Sequence, residues 1–121
     1  MLKSFQELDA WRKAHSLALD IYGATRSFPQ DERFGLVSQF RRAVVSVPAN
    51  IAEGFGRRST KDFVRYLEIA SGSLEETRYF LILSRDLEYL ESKDYSRLND
   101  KCDEVGRLLG GLAQSLRKRL G

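Results

Sequence analysis

One cysteine, one histidine and two prolines in 121 residues leave few site chemistries open. Cys102 has no second thiol for an internal disulfide. His15 and Cys102 alone cannot supply the several convergent ligands of a zinc or other transition-metal centre, so no metal is expected. The opening Met1-Leu2-Lys3-Ser4 has no apolar signal-peptide core, and with the lone thiol it leads us to expect a reducing, cytoplasmic setting. No apolar run reaches the roughly 18 residues of a membrane span, so no membrane partner is expected. A phosphate loop with G-x-x-x-x-G-K-[ST] spacing after a strand is missing, and no second carboxylate is placed to share acid–base work with another. The sequence therefore gives no catalytic residue and no cofactor, and we read the chain as non-enzymatic.

What is present is helical periodicity. The length suits one domain, 1–121, large enough for a core without disulfide or metal. Ser4 and Glu7 form a capping box ahead of Leu8, Trp11, His15, Ala18, Tyr22 and Thr25, which recur at three- and four-residue steps until Phe28-Pro29. A second helix opens near Asp31-Glu32-Arg33 and carries Leu36, Val37, Phe40, Val44, Val47, Ile51 and Phe55, stopping at Gly54-Phe55-Gly56. Ser59 or Thr60 caps a third, with Phe63, Leu67, Ala70, Leu74, Thr77, Leu81 and Ser84 running toward Leu90. Ser92 caps the fourth, whose Tyr95, Leu98, Cys102, Val105, Leu109, Leu112 and Leu116 keep a heptad seam. No segment alternates with the two-residue period of a strand, and the connections are short. The expected fold is all-α, an antiparallel up-down-up-down four-helix bundle.

The second helix and the turn after it set the functional expectations. Val44, Val45, Val47, Ile51 and Ala52 project around more of the helix than one core covers, which predicts a closed homo-oligomeric ring. Pro48 removes a backbone hydrogen bond inside that helix, and a kink is its expected effect. Gly72, Gly106, Gly110 and Gly111 lower helix propensity by about 1 kcal/mol each, which close helix approach would explain. After Gly56, Arg57, Arg58 and Lys61 crowd the start of the third helix and form a nucleic-acid-binding candidate for phosphates. Fourteen of the 20 cations are Arg, which favours planar bidentate anions. Arg42, Ser46, Asn50 and Glu53 share a stripe in which Glu53 is expected to meet an arginine, Arg42 or Arg57 being nearest in sequence, as a buried pair within the bundle or across a subunit boundary. His15 and Cys102 fall on apolar seams, where a satisfied or edge-lying core imidazole and an inert thiol are expected.

A resemblance rests on ordered residues that a generic bundle would not share. They are Leu8-Asp9-Ala10-Trp11-Arg12-Lys13-Ala14, Phe28-Pro29, Glu32-Arg33-Phe34-Gly35-Leu36, Gln39, Arg41-Arg42-Ala43, Ser46-Val47-Pro48, Asn50-Ile51-Ala52-Glu53-Gly54, Tyr66-Leu67, Ala70 and Gly72-Ser73-Leu74-Glu75-Glu76. Across Leu8 to about Leu90 the chain resembles the bacterial four-helix-bundle proteins called 23S ribosomal RNA intervening-sequence proteins. That resemblance implies a homopentamer. Similarity to the accessory proteins of diversity-generating retroelements adds nucleic-acid binding, of RNA or DNA, and contact with a protein partner. It also points to a structural polar cluster of Arg42, Asn50, Glu53, Ser73 and Glu76. A protein-binding scaffold without nucleic-acid contact is the alternative function.

Overall fold

The capping box at the start of the chain forms as the sequence predicts, but it closes a 3-10 turn, Phe5–Glu7, and not an α-helix. This is the first element of a computed structural model that describes residues 2–121. Leu8 is extended, and helix α1 then spans Asp9–Thr25. Its buried face is Ala10, Ala14, Leu17, Ala18, Ile21 and Thr25, one residue out of phase with much of the expected seam. The small alanines let α1 lie close to its neighbours. Trp11 and His15 instead stack at the rim, ring centres 4.9 Å apart, with Phe5 meeting Trp11 edge-on at 5.1 Å. Of the two expected placements His15 thus takes the edge-lying one, exposed and stacked on Trp11.

Asp31 and Glu32 also open a 3-10 turn, Gln30–Glu32, before Gly35 caps α2 at Leu36–Phe55. Glu32 braces this corner by accepting from the Leu36 amide at 3.4 Å and from the Tyr89 hydroxyl at 2.9 Å. Helix α3 runs Thr60–Asp86, with the Ser59 side chain accepting from the Asp62 amide as its cap. It ends four residues before Leu90 because the chain turns in a Schellman motif. The Glu88 amide donates to the Arg85 carbonyl, the Tyr89 amide to that of Ser84, and Glu88 takes a φ of 64°. Helix α4 spans Ser92–Leu120, with Glu91 and not Ser92 in the cap position.

Each helix packs on the next and α4 returns to α1, which closes the four-helix bundle. Phe40, Val44, Val47 and Ile51 of α2, Leu67, Leu74 and Leu81 of α3, Leu98, Val105 and Leu109 of α4, and Leu17 and Ile21 of α1 fill the centre. The protomer itself covers the apolar face of α2, burying Leu36, Val37, Phe40, Ala43, Val44, Val47, Pro48, Ile51 and Gly54. Only Val45 among its expected interface residues is exposed, at 41%. The helix runs through Pro48, which is buried. Across α1 and α4, Lys13 meets Glu104 at 3.6 Å and Lys101 pairs with Asp20.

Glycine separates into packing and indifferent positions. A Cβ at Gly54 would stand 2.8 Å from Tyr66 Cβ and 2.9 Å from Phe63 Cδ1, so α2 and α3 touch there because no side chain intervenes. Gly106 gives room to Arg78, whose Nη1 donates to Asp103 at 2.6 Å and Nη2 to the Cys102 carbonyl at 3.3 Å. Burial would lower the Arg78 pKa, but the bond to Asp103 and the neighbouring carboxylates leave it raised. A methyl group at Gly72, Gly110 or Gly111 would meet nothing within 4 Å, so close helix approach does not explain these three within the protomer.

Two measurements check this packing. Gly54→Ala should lower stability by about 1–3 kcal/mol through overpacking, whereas Gly110→Ala should raise it by up to about 1 kcal/mol through helix propensity. Equal effects in denaturant titrations would refute the close contact. Burial pushes the Cys102 thiol from 9.0 up to about 12. Above the lower value the unfolded chain loses this proton while the folded chain keeps it, so stability should fall from pH 9 toward pH 12. Cys102→Ala should make that decline shallower.

Candidate nucleic-acid interface

The turn between α2 and α3 is held by backbone bonds. The Gly56 amide reaches the carbonyls of Ala52 at 3.3 Å and Glu53 at 3.2 Å, and the Arg57 amide reaches Gly54 at 3.1 Å. The three predicted phosphate-binding cations then part company. Arg57 Nη2 donates to Glu53 Oε2 and to the Tyr66 hydroxyl, both at 2.7 Å, and its guanidinium lies 4.9 Å from the Tyr66 ring centre. The hydrogen bond to Glu53 raises the Arg57 pKa further, and its charge is already matched. Arg58 and Lys61 are exposed and form no ion pair among the described residues.

A third cation arrives from the far end of the sequence. Arg119, on the last turn of α4, joins Arg57 and Arg58 in lining an open cleft of about 530 Å³. Phe55, Phe63, Leu112 and Leu116 give that cleft an apolar floor. Arg117 does not contribute, being paired with Glu68 at 2.8 Å. The start of α3 is a poor anion seat in itself, since Ser59 takes the Asp62 amide at 3.0 Å and the Asp62 carboxylate already occupies the positive end of the helix. Any phosphate here would be held by side chains.

The expected polar cluster is only partly assembled. Asn50 Nδ2 donates to the Ser46 carbonyl at 2.7 Å and to Ser46 Oγ at 2.9 Å, and Ser73 Oγ donates across from α3 to Ser46 Oγ at 2.8 Å. Arg42 and Glu76 line one shallow depression beside them without forming an ion pair. Glu53 stands apart with Arg57 and Tyr66. The expected pair with Arg57 forms, but the Glu53 side chain is 53% exposed, so the pair is not buried within the protomer. The polar stripe faces outward because α2 buries its other sides first.

A second basic surface lies at the opposite end of α2, and sequence reasoning missed it. Arg33, Arg41 and Arg42 line an open cleft of about 550 Å³ with Tyr22, Phe34 and Val45. Arg41 is pinned, its Nε donating to Thr25 Oγ1 at 2.9 Å and Nη2 to the Tyr22 carbonyl at 3.2 Å. The adjacent Arg33-Phe34 pair was a visible signal. The approach of Tyr22 from the preceding helix was not, because it depends on how α1 rotates against α2.

No group of three or more His, Cys, Asp or Glu side chains could hold a metal ion among the described residues. No described helix is long and apolar enough to cross a membrane. Cys102 is fully buried, with a thiol protonated at neutral pH.

These features define a class, the four-helix bundles with open surface clefts edged by arginine. The chain belongs within it to the 23S rRNA-intervening sequence protein family, whose model matches residues 6–111. It is also similar to a crystal structure of a protein with unknown function from the S23 ribosomal protein family of Bacteroides thetaiotaomicron VPI-5482. That similarity has a TM-score of 0.80 and 27% identity, over 87% of this chain and 95% of that one. No curated protein matches the chain. The family match and the structural neighbour indicate no enzymatic family.

The exposure of Glu53 has a direct test. Glu53→Gln should leave the melting temperature near that of the parent, since exposed ion pairs contribute little. A large drop would show that Glu53 is covered in an assembly of several chains.

Proposed function

We propose that this protein is a non-enzymatic cytoplasmic binding protein that contacts RNA or DNA phosphates at the α2–α3 turn. The observation that carries the reading is the pattern of pairing. Among the described residues nine cations sit in ion pairs, yet Arg58, Lys61 and Arg119 stand at one end of the bundle outside any of those pairs. Unmatched guanidinium and ammonium groups on an open surface suit the evenly spaced charges of a nucleic-acid backbone. Arg57 sits at the edge of this group and holds its neighbour Glu53.

One turn offers few contacts, and useful affinity would come from repetition. Self-association is part of the proposal, and its support lies on exposed apolar residues of α3, together with Val45 of α2. Ile69, Tyr79 and Ile82 are exposed at 43%, 56% and 39% along α3, where another copy of the chain would cover them. A ring then presents several turns to one polymer, and linked weak sites gain avidity without new contacts. The same exposed apolar residues are what favours the second reading, a scaffold that binds a protein and no nucleic acid.

The test is a salt titration with the triple variant Arg58→Ser, Lys61→Ser, Arg119→Ser. Binding should weaken alike on unrelated sequences, and the slope of log affinity against log salt should shrink by about 0.9 for each duplex phosphate no longer neutralised. A triple variant that binds like the parent would move the contact elsewhere. A parent that binds neither polymer at low salt would leave the scaffold reading.

A further inference from the structure

The cleft at the start of α2 is unlike the turn in one respect, which is that its arginines come with bare aromatic surface. Phe34 is 87% exposed, in the short link before α2. The Arg33 guanidinium stands 5.4 Å from its ring centre, and that of Arg41 stands 4.5 Å from the ring centre of Tyr22. Arg42 completes a set of three cations, and no acidic side chain lines the cleft. Arg41 is already fixed by Thr25 and the Tyr22 carbonyl, so little ordering remains to be done when an anion arrives.

An occupant must therefore bring repeated negative charge and a flat apolar face together. Each unpaired nucleotide brings both. In a duplex the base faces are already stacked on one another, so a duplex could use the arginines but not the ring of Phe34. A volume of about 550 Å³ falls within the range of small-ligand pockets, about 300–1,000 Å³.

We infer that the Arg33, Phe34, Arg41 and Arg42 cleft is a second nucleic-acid site, selective for single strands, in which a base stacks on Phe34 while the guanidiniums hold the flanking phosphates. The inference rests on the nucleic-acid reading of this protein but not on the α2–α3 turn. With the turn it gives the molecule two distinct contacts, one blind to strand state and one that requires an unstacked base.

The experiment compares a labelled oligothymidylate with a duplex of equal length, using the parent, Phe34→Ala, Phe34→Trp and the turn triple variant. Phe34→Ala should lose about tenfold in affinity for the single strand, the scale of one stacked base, and keep its affinity for the duplex. Phe34→Trp should restore single-strand binding. Arg42→Ser should flatten the salt dependence on the single strand. Unaltered single-strand binding by Phe34→Ala overturns the inference while leaving the turn intact. A turn triple variant that keeps single-strand binding, beside an impaired Phe34→Ala, supports the cleft and removes the turn. A parent that binds neither polymer overturns both. Light scattering is run on the same samples, and a fall in mass for Phe34→Ala overturns the inference by placing the cleft between copies of the chain.

Discussion

Phe40, Val44, Val47 and Ile51 of α2 have no exposed surface at all, and the other helices take up their places in covering them. Helix α1 lies along one flank and α3 along the other, with α4 closing the square behind. Burying apolar surface is the main favourable term in such a fold, and α2 concentrates it. Once α2 is covered, its polar residues have one direction left. Arg42 and Glu53 emerge on the outside, Ser46 and Asn50 lie half-buried between them, and the two ends of the helix become the two basic surfaces.

Charge is then distributed by what the helices leave unmatched. Between elements, Arg78 joins Asp103, Lys101 joins Asp20, Lys13 joins Glu104 and Arg117 joins Glu68, so the long sides of the bundle are locally balanced. The ends are not. Arg58, Lys61 and Arg119 gather at one end of α2, and Arg33, Arg41 and Arg42 at the other. A formal net charge of only +3 conceals this, because the surplus is localised.

The bundle was legible in the sequence because four segments kept a helical period, and in α3 the cap agreed with it. The seams of α3 and α4 match the buried residues closely, and the Ser59 cap is where its hydroxyl suggested. Helix α1 was misphased since three alanines at helical spacing outrank an aromatic when helices must approach closely, and Trp11 could stack on Phe5 and His15 at the rim. Both Ser4 and Asp31 announced helical turns correctly, but one 3-10 turn satisfies the same capping groups as an α-helix. Of the candidate site, the grouping of Arg58 with Lys61 follows from adjacency alone. Arg119 could not be placed beside them without the antiparallel run of α4, nor Tyr22 beside Arg41 without the rotation of α1. The pairing of Glu53 with Arg57 was readable at four-residue spacing. Its exposure was not, because it depends on which face of α2 turns inward.

Gly54 also changes how kinship should be read. The stretch Asn50-Ile51-Ala52-Glu53-Gly54 looks like a signature of function, since it is polar, ordered and next to the basic turn. Yet position 54 admits no side chain for reasons of backbone proximity alone, whatever the molecule binds. Its retention in a relative would report a shared helix crossing and nothing about a shared ligand. Phe34 carries the opposite kind of information. Nothing in the packing of the chain fixes an aromatic ring at so exposed a place, so a lineage that kept it there would be under selection for something outside the protein.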